Sequence, residues 1–229
     1  MTVIDPAHGT LRRDRDVVIE RGRIAAVTAG GQARLSADAE RVDGTGRFLI
    51  PGLCDMHIHS GGYEAGRRMA RLLVANGITC ARDMGSPPEE ALRLRDEIRS
   101  GELLGPRLVV AGPLLQTSLP PAMAANAMLM SAGTAAQARE AVRSLRAAGI
   151  DFLKVDDSVP REAYFAMARE SHRLGIPFAG HLPPAITAWE AARARQASIE
   201  HLGGHFLGVL LACSSREADL TAAARGLIA

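Results

Sequence analysis

The sequence predicts an α/β protein in which strand-then-helix units repeat after a short β-rich segment. Short, uninterrupted apolar runs are typical of strands in a parallel sheet covered by helices. Amphipathic segments with helix start and stop signals separate these runs. A glycine that closes one helix directly before a strand recurs at Asn76-Gly77-Ile78, Ala148-Gly149-Ile150 and Leu174-Gly175-Ile176. Such units are typical of a doubly wound sheet or a (β/α)8 barrel.

The β-rich segment comes first. Two short strands, Asp16–Glu20 and Arg23–Val27, flank a two-residue turn, a pattern that predicts a hairpin. A third apolar run covers Arg47–Ile50 and ends at a Pro-Gly pair. We therefore predict a small β-subdomain over residues 1–52 and a strand-helix domain over residues 53–229.

Local signals define the elements of the second domain. Capping boxes pair Thr134 with Gln137 and Thr187 with Glu190, each at a helix start. Further predicted helices cover Pro88 to Arg99, the segment from Pro160 to Gly175, and Ser214 to about Gly226, while Ala122 to Met130 is predicted as a loop or short helix. The six predicted strands are Leu53–His57, Ile78–Arg82, Arg107–Ala111, Asp151–Val155, Ile176–His181 and Ala197–His201. A complete barrel needs about 250 residues, so we expect about six of its eight units.

Composition narrows the function classes. The chain has 229 residues, a formal net charge of +2 and 47% apolar residues, as expected of a globular protein. Its basic residues are scattered, which argues against a nucleic-acid partner, and no apolar run reaches the roughly 18 residues of a membrane span. The 3 cysteines are far apart in sequence, which indicates a reducing compartment. We expect a cytoplasmic protein. The sequence leaves open whether it forms a homo-oligomer.

Four of the 7 histidines fall at predicted carboxyl ends of strands, where active sites of barrels lie. His57 and His59 are two positions apart in LCDMHIHS, so their side chains face the same side and can bind one metal ion. A half-exposed pair without a metal is the alternative. His181 and His201 end two later strands.

Lys154 is the single lysine among 27 basic residues and ends the fourth predicted strand, in DFLKVDD. A strand lysine is usually a surface residue, but arginine fills every other basic position here. An amine buried near cations can lose its proton and add carbon dioxide, whereas a guanidinium stays protonated. We therefore predict that Lys154 forms a carbamate, an anionic ligand with two oxygens.

Weaker candidates follow the second and third strands. Arg82 with Asp83, and Gln116 with Thr117, lie near the expected mouth of the site. Arg82 and Gln116 are candidate substrate-binding residues. The alternative for each is a turn-forming or solvated role.

The motifs together resemble a known family. The segments GRFLIPGLCDMHIH, NGITCARDMGS, FAGHLPP and SIEHLGG, with Lys154 between them, are similar to the amidohydrolase superfamily, in particular its imidazolonepropionase-like and prolidase-like branch. The resemblance extends from about Val3 to Gly204. It implies a (β/α)8 TIM-type barrel beside a small β-sandwich, to which residues 1–52 would contribute the N-terminal portion.

The resemblance also implies a binuclear centre of two divalent metal ions, with zinc the first candidate. His57 and His59 would hold the more buried ion, carboxylated Lys154 would bridge, and His181 and His201 would hold the other ion. Lys154 and His201 are the candidate catalytic residues. The implied reaction is hydrolysis of a carbon-nitrogen bond in an amide, cyclic amide or dipeptide-like small molecule by a metal-bridging hydroxide.

One family residue finds no match among the six predicted strands, namely the aspartate at the end of the eighth. The alternative function is therefore that of an incomplete or degenerate amidohydrolase fragment, C-terminally truncated, which binds metal at most. For residues 1–229 alone we expect little hydrolase activity.

Overall fold

The computed structural model describes residues 1–117, 126–202, 209 and 212–214. The chain divides into two compact units, Met1–Gly52 and Leu53–Ala229. Two sequence predictions lie outside the described residues, in whole or in large part: the helix after Ser214 and the first residues of the Ala122–Met130 segment.

Two small sheets form the first unit. The strands are β1 (Thr2–Asp5), β2 (Thr10–Arg12), β3 (Arg15–Glu20), β4 (Arg23–Ala29) and β5 (Phe48–Leu49). β1 pairs with β2 antiparallel and with β5 parallel, while β3 and β4 form the predicted antiparallel hairpin. Arg21 and Gly22 at its turn have φ angles of 51° and 72°. Such turns match the twist of the paired strands, so the hairpin prediction is confirmed.

The second unit alternates strands with helices. Its strands among the described residues are β6 (Leu53–Ile58), β7 (Ile78–Asp83), β8 (Arg107–Val110), β9 (Leu114–Gln116), β10 (Leu129–Ser131), β11 (Leu153–Val155) and β12 (Phe178–Gly180). The helices are α1 (Tyr63–Ala75), α2 (Pro88–Ser100), α3 (Ala135–Ala148), α4 (Arg161–Leu174) and α5 (Ala188–Arg193).

All strand pairs that the structure describes in this unit are parallel. One sheet has the order β6-β7-β8 and the other β10-β9-β11-β12. The two sheets meet where the Asp151 amide donates to the Val110 carbonyl (3.0 Å) and the Val110 amide donates to the Asp151 carboxylate (2.9 Å). β8 and β9 thus act as one bent strand with β7 on one side and β11 on the other. Carboxyl ends of successive strands consequently meet at one edge.

The structure corrects two strand predictions. The sixth predicted strand, Ala197–His201, is reduced to one parallel bridge between Ile199 and Gly180, followed by a 3₁₀ turn over Glu200–Leu202. Leu129–Ser131, which includes the end of the segment predicted as a loop or short helix, is instead strand β10. The periodicity of a short apolar run does not distinguish a strand from a loop or short helix. Pairing with β9 makes Leu129–Ser131 a strand.

Helix termini follow the sequence signals closely. Both predicted capping boxes are present, at Thr134 with Gln137 and at Thr187 with Glu190. α2, α3 and α4 each end at a glycine in the left-handed conformation. None of the helices among residues 1–117 and 126–202 is both long and apolar enough to cross a membrane.

The hydrophobic core lies between the sheets and the helices. Strand and helix side chains that are at most 2% exposed fill it; they include Leu94, Val110, Leu115, Val142, Leu153, Tyr164, Met167 and Phe178. Burial of this kind is the main stabilising contribution to the fold.

A buried carboxylate joins α3 to α4. Glu170 is 6% exposed, and its Oε1 accepts from Arg143 Nε and from Arg173 Nη2, both at 2.7 Å. Hydrogen bonds from Arg173 and Arg143 lower the pKa of Glu170 to about 2. A carboxyl whose pKa falls on folding stabilises the folded state above its unfolded pKa, and this contribution is lost as the pH falls through the folded pKa.

We expect Glu170→Gln to lower the free energy of unfolding at pH 7, with a deficit that shrinks as the pH falls from about 4.5 towards 2. Urea unfolding at several pH values measures it. Glu140→Gln is the control, because Glu140 lies on the same helix as Arg143, is 72% exposed and stands 3.7 Å from Arg143. Equal pH dependence of the two variants would contradict the prediction.

Candidate metal centre

Four imidazoles lie together at the carboxyl edge of the sheets. The ring centroids of His57 and His59 are 5.2 Å apart, those of His57 and His201 4.6 Å, and those of His181 and His201 5.4 Å. These are the four histidines that the sequence predicts at strand ends. Their placement is a fact of the structure, while their role as metal ligands stays a prediction.

Strand ends and one 3₁₀ turn bring these side chains together. His57 lies on β6, His59 directly after it, and His181 directly after β12. His201 has φ 54° and ψ 30° inside the 3₁₀ turn, a left-handed conformation that costs a non-glycine residue roughly 1–2 kcal/mol. Backbone strain of this kind is characteristic of functional positions.

Hydrogen bonds fix the tautomers of the first two histidines. His59 Nδ1 lies 3.0 Å from the carbonyl oxygen of Gly85, which only accepts, so Nδ1 carries the proton. His57 Nδ1 lies 2.7 Å from Glu200 Oε2, a carboxylate oxygen that also accepts. Each ring in its neutral form therefore has an unprotonated Nε2.

Those two Nε2 atoms are 3.3 Å apart. Two lone pairs facing each other at this distance repel, so the arrangement needs a cation or a proton between them. Burial lowers the pKa of His57 despite its bond to Glu200, which disfavours the proton. Two nitrogen ligands about 2.0–2.1 Å from one tetrahedral zinc ion are about 3.3–3.4 Å apart. The pair thus fits adjacent positions around one metal ion.

Lys154 lies on β11 and is 1% exposed. Among the described residues, none accepts a hydrogen bond from its Nζ. Burial lowers the pKa of Lys154 to about 8. The positive charge of Lys154 in turn helps to lower the pKa values of His57, His201 and Glu200. A buried amine with no acceptor among the described residues costs about 1–3 kcal/mol.

Asp83 supports the loop that carries the Gly85 carbonyl. It is 1% exposed, accepts from Ser60 Oγ and Ser86 Oγ, and accepts from the Gly85 amide at 3.2 Å. The sequence predicts Asp83 near the mouth of the site, but these contacts hold it buried beside Ser60 and Ser86.

Asp156 is a further acidic neighbour. Its Oδ2 lies 3.4 Å from His181 Nδ1, and ligand atoms of Asp156, Asp157 and His181 lie within 4.8 Å of one another. Burial raises the pKa of Asp156, but contacts with His181 and Ser158 outweigh it and keep the pKa below its usual value. Sequence reasoning assigns Asp156 no role here, although it follows Lys154 by two positions and so shares its face of the strand.

The two candidate substrate-binding residues differ in environment. Arg82 donates to the Met56 carbonyl from Nε (2.7 Å), to Ser198 Oγ from Nη1 (2.8 Å) and to Glu200 Oε1 from Nη2 (2.6 Å). All three guanidinium nitrogens are therefore engaged within the protein. Gln116 ends β9, with its side chain half-buried. Substrate contact by either residue stays a prediction.

Glu200 is the principal residue that sequence reasoning misses. It is 8% exposed and bonds both His57 and Arg82. Strand alternation would place Glu200 on the side opposite to His201. The 3₁₀ turn breaks that alternation and brings both side chains to the site.

Comparison with known proteins identifies the family. A family model described as the amidohydrolase family matches residues 48–212. The chain belongs to the amidohydrolase family. The match includes every predicted metal ligand, so the amidohydrolase resemblance seen in the sequence is confirmed.

Relatives of this amidohydrolase chain agree with that assignment. A prolidase candidate from Bifidobacterium longum is 28% identical, with a TM-score of 0.70 over 84% of this chain and 49% of that one. Bottromycin amidohydrolase is 25% identical, with a TM-score of 0.69 over 97% of this chain and 46% of that one. A dihydroorotase from Syntrophotalea carbinolica is 47% identical over 57 residues, 25% of this chain and 12% of that protein. The chain thus spans about half the length of these solved structures.

Proposed function

We propose that this protein is a metal-dependent hydrolase of carbon-nitrogen bonds in amide, cyclic amide or dipeptide-like small molecules. The Nε2 atoms of His57 and His59 carry the proposal, because they face each other at 3.3 Å while both Nδ1 protons are directed at acceptors. Family membership supports the reaction class. In the same proposal residues 53–229 form strands of a TIM-type barrel and residues 1–52 part of a β-sandwich.

Five residues would hold two divalent ions, with zinc the first candidate. His57 and His59 would hold one ion, and His181 and His201 the other. Lys154 would bridge them as a carbamate: its neutral amine forms a nitrogen-carbon bond to carbon dioxide and releases one proton. Burial and the absence of an acceptor for Nζ among the described residues support this assignment. The bound ions would supply Lewis acidity and lower the pKa of a water molecule.

The chain's own residues prepare this site. Burial lowers the pKa of both His57 and His201, which favours neutral rings with a free lone pair. Glu200 and the Gly85 carbonyl hold the Nδ1 protons of His57 and His59 away from the centre. Substrate would enter from the carboxyl edge of the strands, near Gln116.

Metal binding is the first test. Equilibrium dialysis of the whole chain against zinc and bicarbonate, followed by elemental analysis, is expected to give two equivalents. His181→Ala is expected to give one. His172→Ala is the matched control, because His172 is an exposed histidine on α4, and it should keep two. Failure of the unaltered chain to bind zinc would refute the proposal.

The reaction class needs a separate test. A panel of N-acyl amino acids, proline-containing dipeptides and cyclic amides is assayed for amine release by the protein. We expect His201→Ala to reduce turnover of any substrate at least 100-fold, because each ligand positions the ion that activates the nucleophile. Unchanged turnover in His201→Ala would contradict the assigned centre.

A further inference from the structure

We infer that Glu200 is a positioning residue that holds His57 in the tautomer with a free Nε2, and that Arg82 and Ser198 fix Glu200 in this role. The inference deepens the proposed function and rests on it where metal affinity is concerned. Glu200 is buried, and its oxygens face His57 Nδ1, Arg82 and Ser198 rather than the space between the two Nε2 atoms. It would therefore act through His57.

Glu200 uses its two oxygens differently. Oε2 lies 2.7 Å from His57 Nδ1, and Oε1 accepts from Arg82 Nη2 and from Ser198 Oγ, both at 2.6 Å. The residue is 8% exposed, so water does not replace these partners readily. One side of the carboxylate faces two donors, and the other faces the imidazole.

Ser198 can act on Glu200 only as a donor. Its Oγ accepts from Arg82 Nη1 at 2.8 Å, so its single proton is free for Glu200 Oε1. Arg82 is itself fixed, since Nε donates to the carbonyl of Met56, next to His57, and the guanidinium lies over the Phe152 ring at 5.6 Å. Oε1 therefore accepts from two donors, and Arg82 is itself held by further contacts.

An amide at position 200 therefore cannot serve both sides. Its oxygen would face the two donors, Arg82 and Ser198, and its NH₂ group would face His57. The NH₂ group would donate to Nδ1 and move the imidazole proton to Nε2, the atom that would bind metal. Second-shell carboxylates orient metal-binding histidines in this manner, and their loss typically costs about 10–100-fold in metal affinity.

The test compares the whole chain with Glu200→Gln. Long-range ¹H–¹⁵N spectra of the metal-free proteins report the His57 tautomer, with the signals assigned through His57→Gln. We expect Nδ1–H in the unaltered chain and Nε2–H in Glu200→Gln. Competition with a chromophoric chelator should show zinc binding about 10–100-fold weaker in the variant.

Glu170→Gln is the matched control, since Glu170 is also buried and held by two arginines but lies away from the four imidazoles. It should leave both readouts unchanged. If Glu200→Gln does not fold, Glu200→Asp replaces it, because the shorter side chain withdraws the carboxylate from His57 without removing its charge. An unchanged His57 tautomer would overturn the inference. Absence of zinc binding in the unaltered chain would instead refute the proposed function, and the metal-free spectra would still decide the role of Glu200.

Discussion

Lys154→Arg is expected to reduce the zinc content from two equivalents to one or none. A guanidinium stays protonated and cannot form a carbamate, so the bridging anion is lost. It also puts a permanent positive charge beside His57 and His201, whose rings must remain neutral to bind metal. Elemental analysis after dialysis against zinc and bicarbonate measures the effect, and incorporation of ¹³C from labelled bicarbonate reports the carbamate directly.

Lys154→Met separates metal loss from misfolding. Methionine has a similar length and no charge, and Lys154 Nζ has no acceptor among the described residues. Removal of this unpaired amine should leave the metal-free protein equally stable or up to about 3 kcal/mol more stable. The same variant should still lose two-metal binding. Two equivalents of zinc in either variant would refute the bridging role of Lys154.

Gly180→Ala is expected to lower the free energy of unfolding by about 2 to 5 kcal/mol. Gly180 has φ 134°, and a Cβ there would lie 2.3 Å from the Val155 carbonyl oxygen and 2.7 Å from the Val155 nitrogen. Both atoms belong to the backbone of β11 and cannot rotate away. Overpacking costs about 1–3 kcal/mol, and a positive φ adds about 1–2 kcal/mol for a residue with a Cβ. Urea unfolding measures the change.

Gly149→Ala isolates the conformational part of that cost. Gly149 has φ 85°, and nothing lies within 4 Å of a Cβ placed there. We expect a loss of about 1 kcal/mol, the usual cost of left-handed φ without a clash. Because β12 leads directly to His181, Gly180→Ala should also weaken zinc binding, whereas Gly149→Ala should not. Equal losses of unfolding free energy in the two variants would contradict the predicted clash between a Cβ at position 180 and the Val155 backbone.

Local signals explain what the sequence predicts well. The capping boxes at Thr134 and Thr187 and the glycines that end helices depend on residues within one turn, and the structure contains them. The position of His57 and His59 at the end of a strand follows from alternation in the same way. Such features depend only on residues that are close in sequence.

Features that depend on distant partners are not predictable in this way. β10 is a strand because it pairs with β9, and the Met-rich segment Ala122–Met130 that overlaps it does not distinguish that outcome from a loop or short helix. Glu200 reaches His57 because strand pairing ends at Ile199 and a 3₁₀ turn over Glu200–Leu202 follows. The sequence offers Arg82 as a candidate substrate-binding residue. It does not reveal that the guanidinium donates to Met56 and Ser198, which lie on two other segments of the chain.

The bond between His57 and Glu200 joins residues that are 143 positions apart. During synthesis, His57 is made long before the carboxylate that accepts from its Nδ1, so Glu200 does not direct the ring proton of His57 in the nascent chain. Contacts of such high sequence separation form late, because the loop-closure entropy comes before the stabilising contact. If the site binds metal as proposed, we expect full metal affinity only after the Ser198–Glu200 segment has docked against His57.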